Sequence, residues 1–106
     1  MNDWKWSDSE KKLAHRVYEE ARLSELAETL SGFKARAAAL ASVDDMWLLE
    51  EFLRNRRRDL DEKYQYRYSQ LPWLFARLVR EQRVTPDQLV GLSEEKRSEI
   101  LRLASL

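Results

Sequence analysis

The chain contains no cysteine, which excludes a disulfide framework, a thiol nucleophile and a thiolate metal site. Glycine and proline occur only twice each, and Val, Ile and Thr together number eight against 17 Leu and 10 Ala. That balance excludes a sheet protein, because strands draw on β-branched residues whereas Leu and Ala favour helix. An excess of one charge is missing too. The 19 basic residues offset 19 acidic ones, so no long-range field favours nucleic acid or an anionic membrane. No apolar run reaches the ~20 residues of a membrane span, and the charged stretch Met1–Lys12 has no signal-peptide core. The expectation is an intracellular, cytoplasmic protein without membrane insertion.

What is present is leucine and charge. Charged residues make up 36% of the chain and hydrophobic ones 43%, with a mean hydropathy of −0.70, so 106 residues suffice for one folded domain. Neutrality hides an asymmetry. Residues 1–53 carry 7 basic and 11 acidic side chains (net −4), and residues 54–106 carry 12 and 8 (net +4). Such halves can pair within one chain or between two.

Residues 1–6 are expected to fray despite Trp4 and Trp6, and Ser7 with Glu10 forms a capping box that opens a helix running to about Ala41. Leu13, Val17 and Ala21 make one apolar stripe. Leu23, Leu26, Leu30, Phe33, Ala37 and Leu40 follow on another in a 3,4 repeat that reads as a heptad seam. The helix therefore serves two partners, one near its start and one along its second half.

Ser42 caps a second helix, with Asp44 and Asp45 at its positive pole, expected to reach Arg67 or Tyr68. Its inner stripe is Met46, Leu49, Leu53, Leu60 and Tyr64, and the short connection favours an antiparallel hairpin. Leu48 and Phe52 lie about 100° or more around the helix from that stripe. One hairpin cannot bury both faces, so a homodimer with Met46, Trp47, Leu48 and Phe52 in its interface is expected. Beyond Ser69, Pro72 opens a third helix, Thr85–Gln88 caps a short helix ending at Gly91, and Ser93 caps a last one. The fold class is all-α: a helical stalk over 7–68 and a small helical head over 69–106, within one domain.

No catalytic constellation emerges. His15 is the sole histidine and has no convergent partner for a metal or a nucleophile, so no metal, cofactor or enzymatic role is expected. The run Arg54–Arg58 followed by Tyr64, Tyr66 and Tyr68 could suit a nucleic-acid backbone. Its neighbours Glu50, Glu51, Asp59, Asp61 and Glu62 would repel phosphate. Trp47 carries more information. It points about 130° from the inner stripe and shares a face with Glu50, Arg54 and Arg57 at i+3, i+7 and i+10. It either packs on a second subunit or serves as a binding anchor, the two roles being compatible.

The stretch Val43-Asp44-Asp45-Met46-Trp47-Leu48-Leu49-Glu50-Glu51-Phe52-Leu53, with Arg57 and Asp61-Glu62-Lys63-Tyr64, resembles the fluorescence recovery protein family of cyanobacteria. The likeness continues through Phe75-Ala76-Arg77-Leu78 and Leu92-Ser93-Glu94-Glu95-Lys96. The resemblance implies an all-helical dimer that binds light-activated orange carotenoid protein and speeds its return to the resting orange form. Quenching of phycobilisome fluorescence would thereby end, on the cytoplasmic side of the thylakoid. It further implies partner contacts at Trp47, Glu50, Glu51 and Arg57, and at Trp73 in the head, to which the shared helical face adds Arg54. Glu50 stands where the family carries a histidine, Glu51 where it carries an aspartate and Glu99 where it carries a lysine. A related scaffold with an unknown protein partner is the alternative that these departures leave open.

Overall fold

The computed structural model describes residues 4–106. It holds four α-helices: α1 (Asp8–Ala38), α2 (Val43–Lys63), α3 (Leu71–Arg80) and α4 (Glu94–Ala104), with a 3-10 turn at Pro86–Leu89 before α4. The body is elongated, 54 × 27 × 23 Å. At the start of α1 the capping box is complete: the Glu10 backbone N–H donates to Ser7 Oγ at 3.2 Å and Ser7 N–H to Glu10 Oε1 at 3.0 Å. Ser42 caps α2 through the Asp45 N–H at 3.2 Å. The two helices run antiparallel, with Thr29 bonded to Arg56 and Glu25 to Lys63.

The core lies at one end. Leu71, Phe75 and Leu78 of α3, Leu89, and Ile100 of α4 are fully buried, and the opening turns of α1 join them through Leu13, Ala14, Val17 and Ala21. The compact end thus includes the start of α1 as well as the C-terminal helices. Gly91 holds this junction. Its φ of +124° disfavours any side chain, and a Cβ there would lie 3.1 Å from Leu13 Cδ2.

Three expectations are corrected. First, α2 stops at Lys63, short of Arg67 or Tyr68. Tyr64 turns out of the helix at φ −96° and ψ 70°, and its carbonyl accepts the Tyr18 hydroxyl at 2.7 Å. A continued helix would scatter Tyr64, Tyr66 and Tyr68 around its circumference. The extended path instead sets Tyr66 4.9 Å from Tyr18 and Tyr68 5.5 Å from Trp6, ring centre to ring centre. Second, Trp4 and Trp6 are not frayed. Trp4 Nε1 donates to Glu95 at 3.2 Å, and Lys96 Nζ sits 5.7 and 5.3 Å from the two indoles. The remaining residues of that expected frayed stretch, 1–3, lie outside the described residues.

The third correction concerns the hairpin seam. Leu23 and Leu30 are each 53% exposed and Met46 is 46% exposed, so most of the leucine stripe and the start of the expected inner stripe face away from the partner helix. Leu53 is exposed as well. The helices meet instead through Ala21, Glu25, Thr29 and Gly32 on α1 and through Leu49, Phe52, Arg56 and Leu60 on α2. Phe52, expected on the face turned outward, lies over the Arg36 guanidinium at 4.1 Å and against Gly32. The seam is thus mixed, with small and hydrogen-bonding residues on α1 set against larger side chains of α2.

Glu10 ties the two ends of the chain together. Its carboxylate also accepts the Ser93 N–H at 2.8 Å and Lys96 Nζ at 3.3 Å. Burial alone would raise its pKa, but the Ser7 and Ser93 amides and Lys96 outweigh burial and hold it below the usual value. A depressed carboxylate stabilises the fold above its unfolded pKa of ~4.3 and ceases to do so as pH falls through the folded value. Glu10→Gln should therefore lower the unfolding free energy at pH 7 by about 2 kcal/mol. Denaturant melts of the two proteins should converge as the pH falls below the carboxylate range.

Candidate functional site

The register of α2 sorts its side chains into three zones. Leu49, Phe52, Arg56 and Leu60 face α1, Met46 and Leu53 lie to one side, and Trp47, Glu50, Arg54 and Arg57 form a stripe facing solvent. Trp47 is 60% exposed. Glu50 accepts from Arg54 at 3.1 Å, and Arg57 stands 3.9 Å from Asp61, both pairs in water and one helical turn apart. An open groove of about 660 Å³ follows this side of the helix, bordered by Glu50, Leu53, Arg54, Arg57, Arg58 and Asp61. Arg58 stands 3.8 Å from Asp59, its neighbour in the chain, in another exposed pair. Glu51 is exposed one residue further round.

The sequence-derived stripe is thus brought together, except for Trp73. That residue sits half-exposed on α3, over a separate cleft of about 340 Å³ bordered by Glu62, Gln65, Arg67, Gln70 and Arg77. From Trp47 to Lys63 the helix rises about 24 Å, so the two tryptophans mark opposite ends of α2. Glu99, where the family resemblance implies a lysine, is held in a fork by Arg102 at 2.5 and 2.9 Å, which keeps its carboxyl below the usual range.

Beside the stripe lies an apolar face. Leu26 borders the same cavity as Leu60 and Asp61, which puts Leu23, Leu26 and Leu30 on the side of the hairpin where α2 carries Met46, Leu53 and Arg57. The opposite side is polar. There Glu25, 4% exposed, accepts Lys63 Nζ and the Tyr64 hydroxyl, each at 2.7 Å, with Arg83 Nε at 3.3 Å and Arg56 at 3.4 Å. Burial would raise the Glu25 pKa, but these donors hold it below its ordinary value. The Tyr64 hydroxyl is pushed well above the phenol range by burial and by its bond to Glu25. Burial and the Tyr68 hydroxyl push Tyr66 up to about 12. Sequence reading missed this cluster, since Glu25 looks like one more surface carboxylate; its only signal is the four-residue spacing to Ala21 and Thr29.

His15 lies on the surface against the edge of the Tyr66 ring, 5.6 Å away. Among the described residues no group of three or more His, Asp or Glu is arranged to hold a metal, and no helix is long and apolar enough to cross a membrane.

Fold and surface together define a class: an all-α hairpin with a small helical head, its outer side divided between a leucine face and a tryptophan–arginine stripe. Within that class the chain belongs to the photoprotection regulator fluorescence recovery protein family, whose model matches residues 6–104. It is 36% identical over 101 residues to the fluorescence recovery protein of Synechocystis sp. PCC 6803, covering 95% of this chain and 93% of that one. The solved structure of that Synechocystis protein matches with a TM-score of 0.90 at 35% identity, over 96% of this chain and all of that one. The fluorescence recovery protein of Fremyella diplosiphon matches with a TM-score of 0.89 at 30% identity, with the same coverage. Its role is accordingly that of a photoprotection regulator.

The exposure of the stripe separates binding from folding. Arg57 is 87% exposed and its ion pair is solvated, so Arg57→Ala should change the unfolding free energy by less than about 0.5 kcal/mol. Trp47→Ala should cost no more than about 1 kcal/mol in the isolated chain. Thermal melts at low protein concentration check both values.

Proposed function

We propose that this chain binds light-activated orange carotenoid protein and accelerates its return to the resting orange form, thereby ending phycobilisome quenching. It would act as a cofactor-free homodimer in the cytoplasm, on the thylakoid's cytoplasmic side. The observation that carries this reading is the exposed stripe of Trp47 with Arg57, which lies in the Val43–Leu53 and Arg57 stretch that resembles the family. A tryptophan ringed by charged side chains suits a desolvated anchor, and Arg57 offers a carboxylate a planar fork. Glu51 keeps a negative charge on the same surface, and Trp73 supplies a second contact at the far end of α2. No bond is made or broken in such a role. Holding two separated domains of the partner close together converts a slow encounter into a local one, which raises the rate without chemistry.

The leucine face supports the homodimer. Leu23, Leu26, Leu30, Met46 and Leu53 are exposed apolar residues on one side of the hairpin, and a second copy would offer an equal, self-complementary face. Trp47 and Leu48 flank it, while Phe52 belongs to the hairpin.

The test is the red-to-orange absorbance recovery of illuminated orange carotenoid protein in darkness. Wild-type protein should accelerate it, and Trp47→Ala or Arg57→Ala should weaken binding by about 2 kcal/mol or more. Met46→Glu should halve the mass in sedimentation while the circular dichroism stays helical. Inert wild type, at any concentration, would leave the scaffold with an unknown partner as the better reading.

A further inference from the structure

The α3 helix contains no acidic residue, and one face of it is open to solvent. Leu71, Pro72, Leu74, Phe75, Ala76 and Leu78 are buried, whereas Trp73, Arg77 and Arg80 are exposed. At ~100° per residue, Arg77 and Arg80 lie about 40° and about 20° to either side of Trp73, so the three share one strip about 10 Å long.

A further cation joins the strip from the connection between α2 and α3. There Tyr64, Tyr66 and Tyr68 turn inward onto Tyr18 and Trp6, and the extended chain sends the alternate residues Gln65 and Arg67 to the other side. Both border the cleft of about 340 Å³ that Gln70, Trp73 and Arg77 also line. The Arg67 carbonyl accepts the Gln70 and Leu71 N–H groups at 2.8 and 2.9 Å, which ties its backbone to the opening of α3.

Charge on this surface is unevenly committed. Lys63 is buried against Glu25 and Glu81, and Arg77 Nε donates to Glu81 at 2.9 Å while its side chain stays 52% exposed. Among the described residues, Arg67 and Arg80 stand in no ion pair, and neither does Glu62, the one acidic residue bordering the cleft. Two unspent guanidiniums and part of a third therefore face a single free carboxylate, around an indole that is half-exposed. Planar arginine forks pair carboxylates, and the ring desolvates the apolar part of a bound chain. A strip of about 10 Å matches about three residues of extended polypeptide.

We infer that the outer face of α3, together with Arg67, recognises an acidic, extended segment of the partner protein, with Arg67 and Arg80 setting its preference for carboxylates. This inference rests on the partner reading proposed above and names the chemistry of its second contact, but one arm of its experiment needs no partner. That arm follows the indole N–H resonances as a hexaglutamate peptide is added at low salt, the Trp73 resonance being assigned by its loss in Trp73→Phe. The Trp73 resonance should shift with hexaglutamate and not with hexalysine, and Arg67→Gln combined with Arg80→Gln should abolish the shift. An unmoved resonance, a shift matched by hexalysine, or a shift kept in the double variant overturns the inference.

The second arm measures affinity for illuminated orange carotenoid protein across salt concentration. At low salt the double variant should bind about tenfold more weakly than wild type, and the two should agree within about twofold at about 1 M salt, where charge is screened. A loss of fold would persist at high salt. Trp73→Ala should stay about tenfold weaker throughout, since it removes packing and not charge. Equal affinity of wild type and double variant at low salt overturns the inference. If wild type does not bind orange carotenoid protein at any salt, the partner reading falls, and the hexaglutamate arm alone decides whether this face takes an acidic chain.

Discussion

The rest of the structure depends on how α1 and α2 meet. Their contact is built on Glu25, Thr29, Gly32 and Arg56, with Phe52 and Leu60 beside them, and not on the leucines that recur along α1. A charged centre in that seam is tolerable only because every donor it needs is present. Once the polar seam is satisfied, helix geometry leaves the leucines nowhere to go but outward. The exposed apolar face and the solvated tryptophan stripe beside it are consequences of that one rotation.

Much of the fold was legible because it is set by local signals. Ser7 with Glu10, Ser42 and Ser93 each cap the helix that their spacing implies, and Pro72 and Gly91 mark the turns. The early stripe of Leu13, Val17 and Ala21 correctly marks a buried face. Helix ends set by tertiary contacts were not legible. Nothing near Tyr64 in sequence stops α2; a hydroxyl 46 residues away does. Likewise Trp4 and Trp6 gain order only from Lys96 and Glu95 at the far end of the chain.

The stripe of Trp47, Glu50, Arg54 and Arg57 was readable because helical spacing alone places it, and exposure of a tryptophan among charges follows from its distance to any apolar stripe. The seam was misread for an instructive reason. Heptad spacing says that Leu23, Leu26 and Leu30 share a face, but not which neighbour that face meets. With the leucines assigned to the hairpin, Met46 and Leu53 followed them inward and Phe52 was turned out. Glu25 could not be recognised, since a buried carboxylate differs from a surface one only in donors contributed from elsewhere in the chain.

The central claim is that the leucine face points away from α2, where the proposed second copy would cover it. Thiol labelling of single-cysteine proteins, Leu30→Cys against Thr29→Cys, tests it directly. Leu30→Cys should label quickly in dilute protein and slow as concentration rises, whereas Thr29→Cys should label slowly throughout. Slow labelling at Leu30→Cys in dilute, folded protein would place the leucines inside the hairpin and contradict the account.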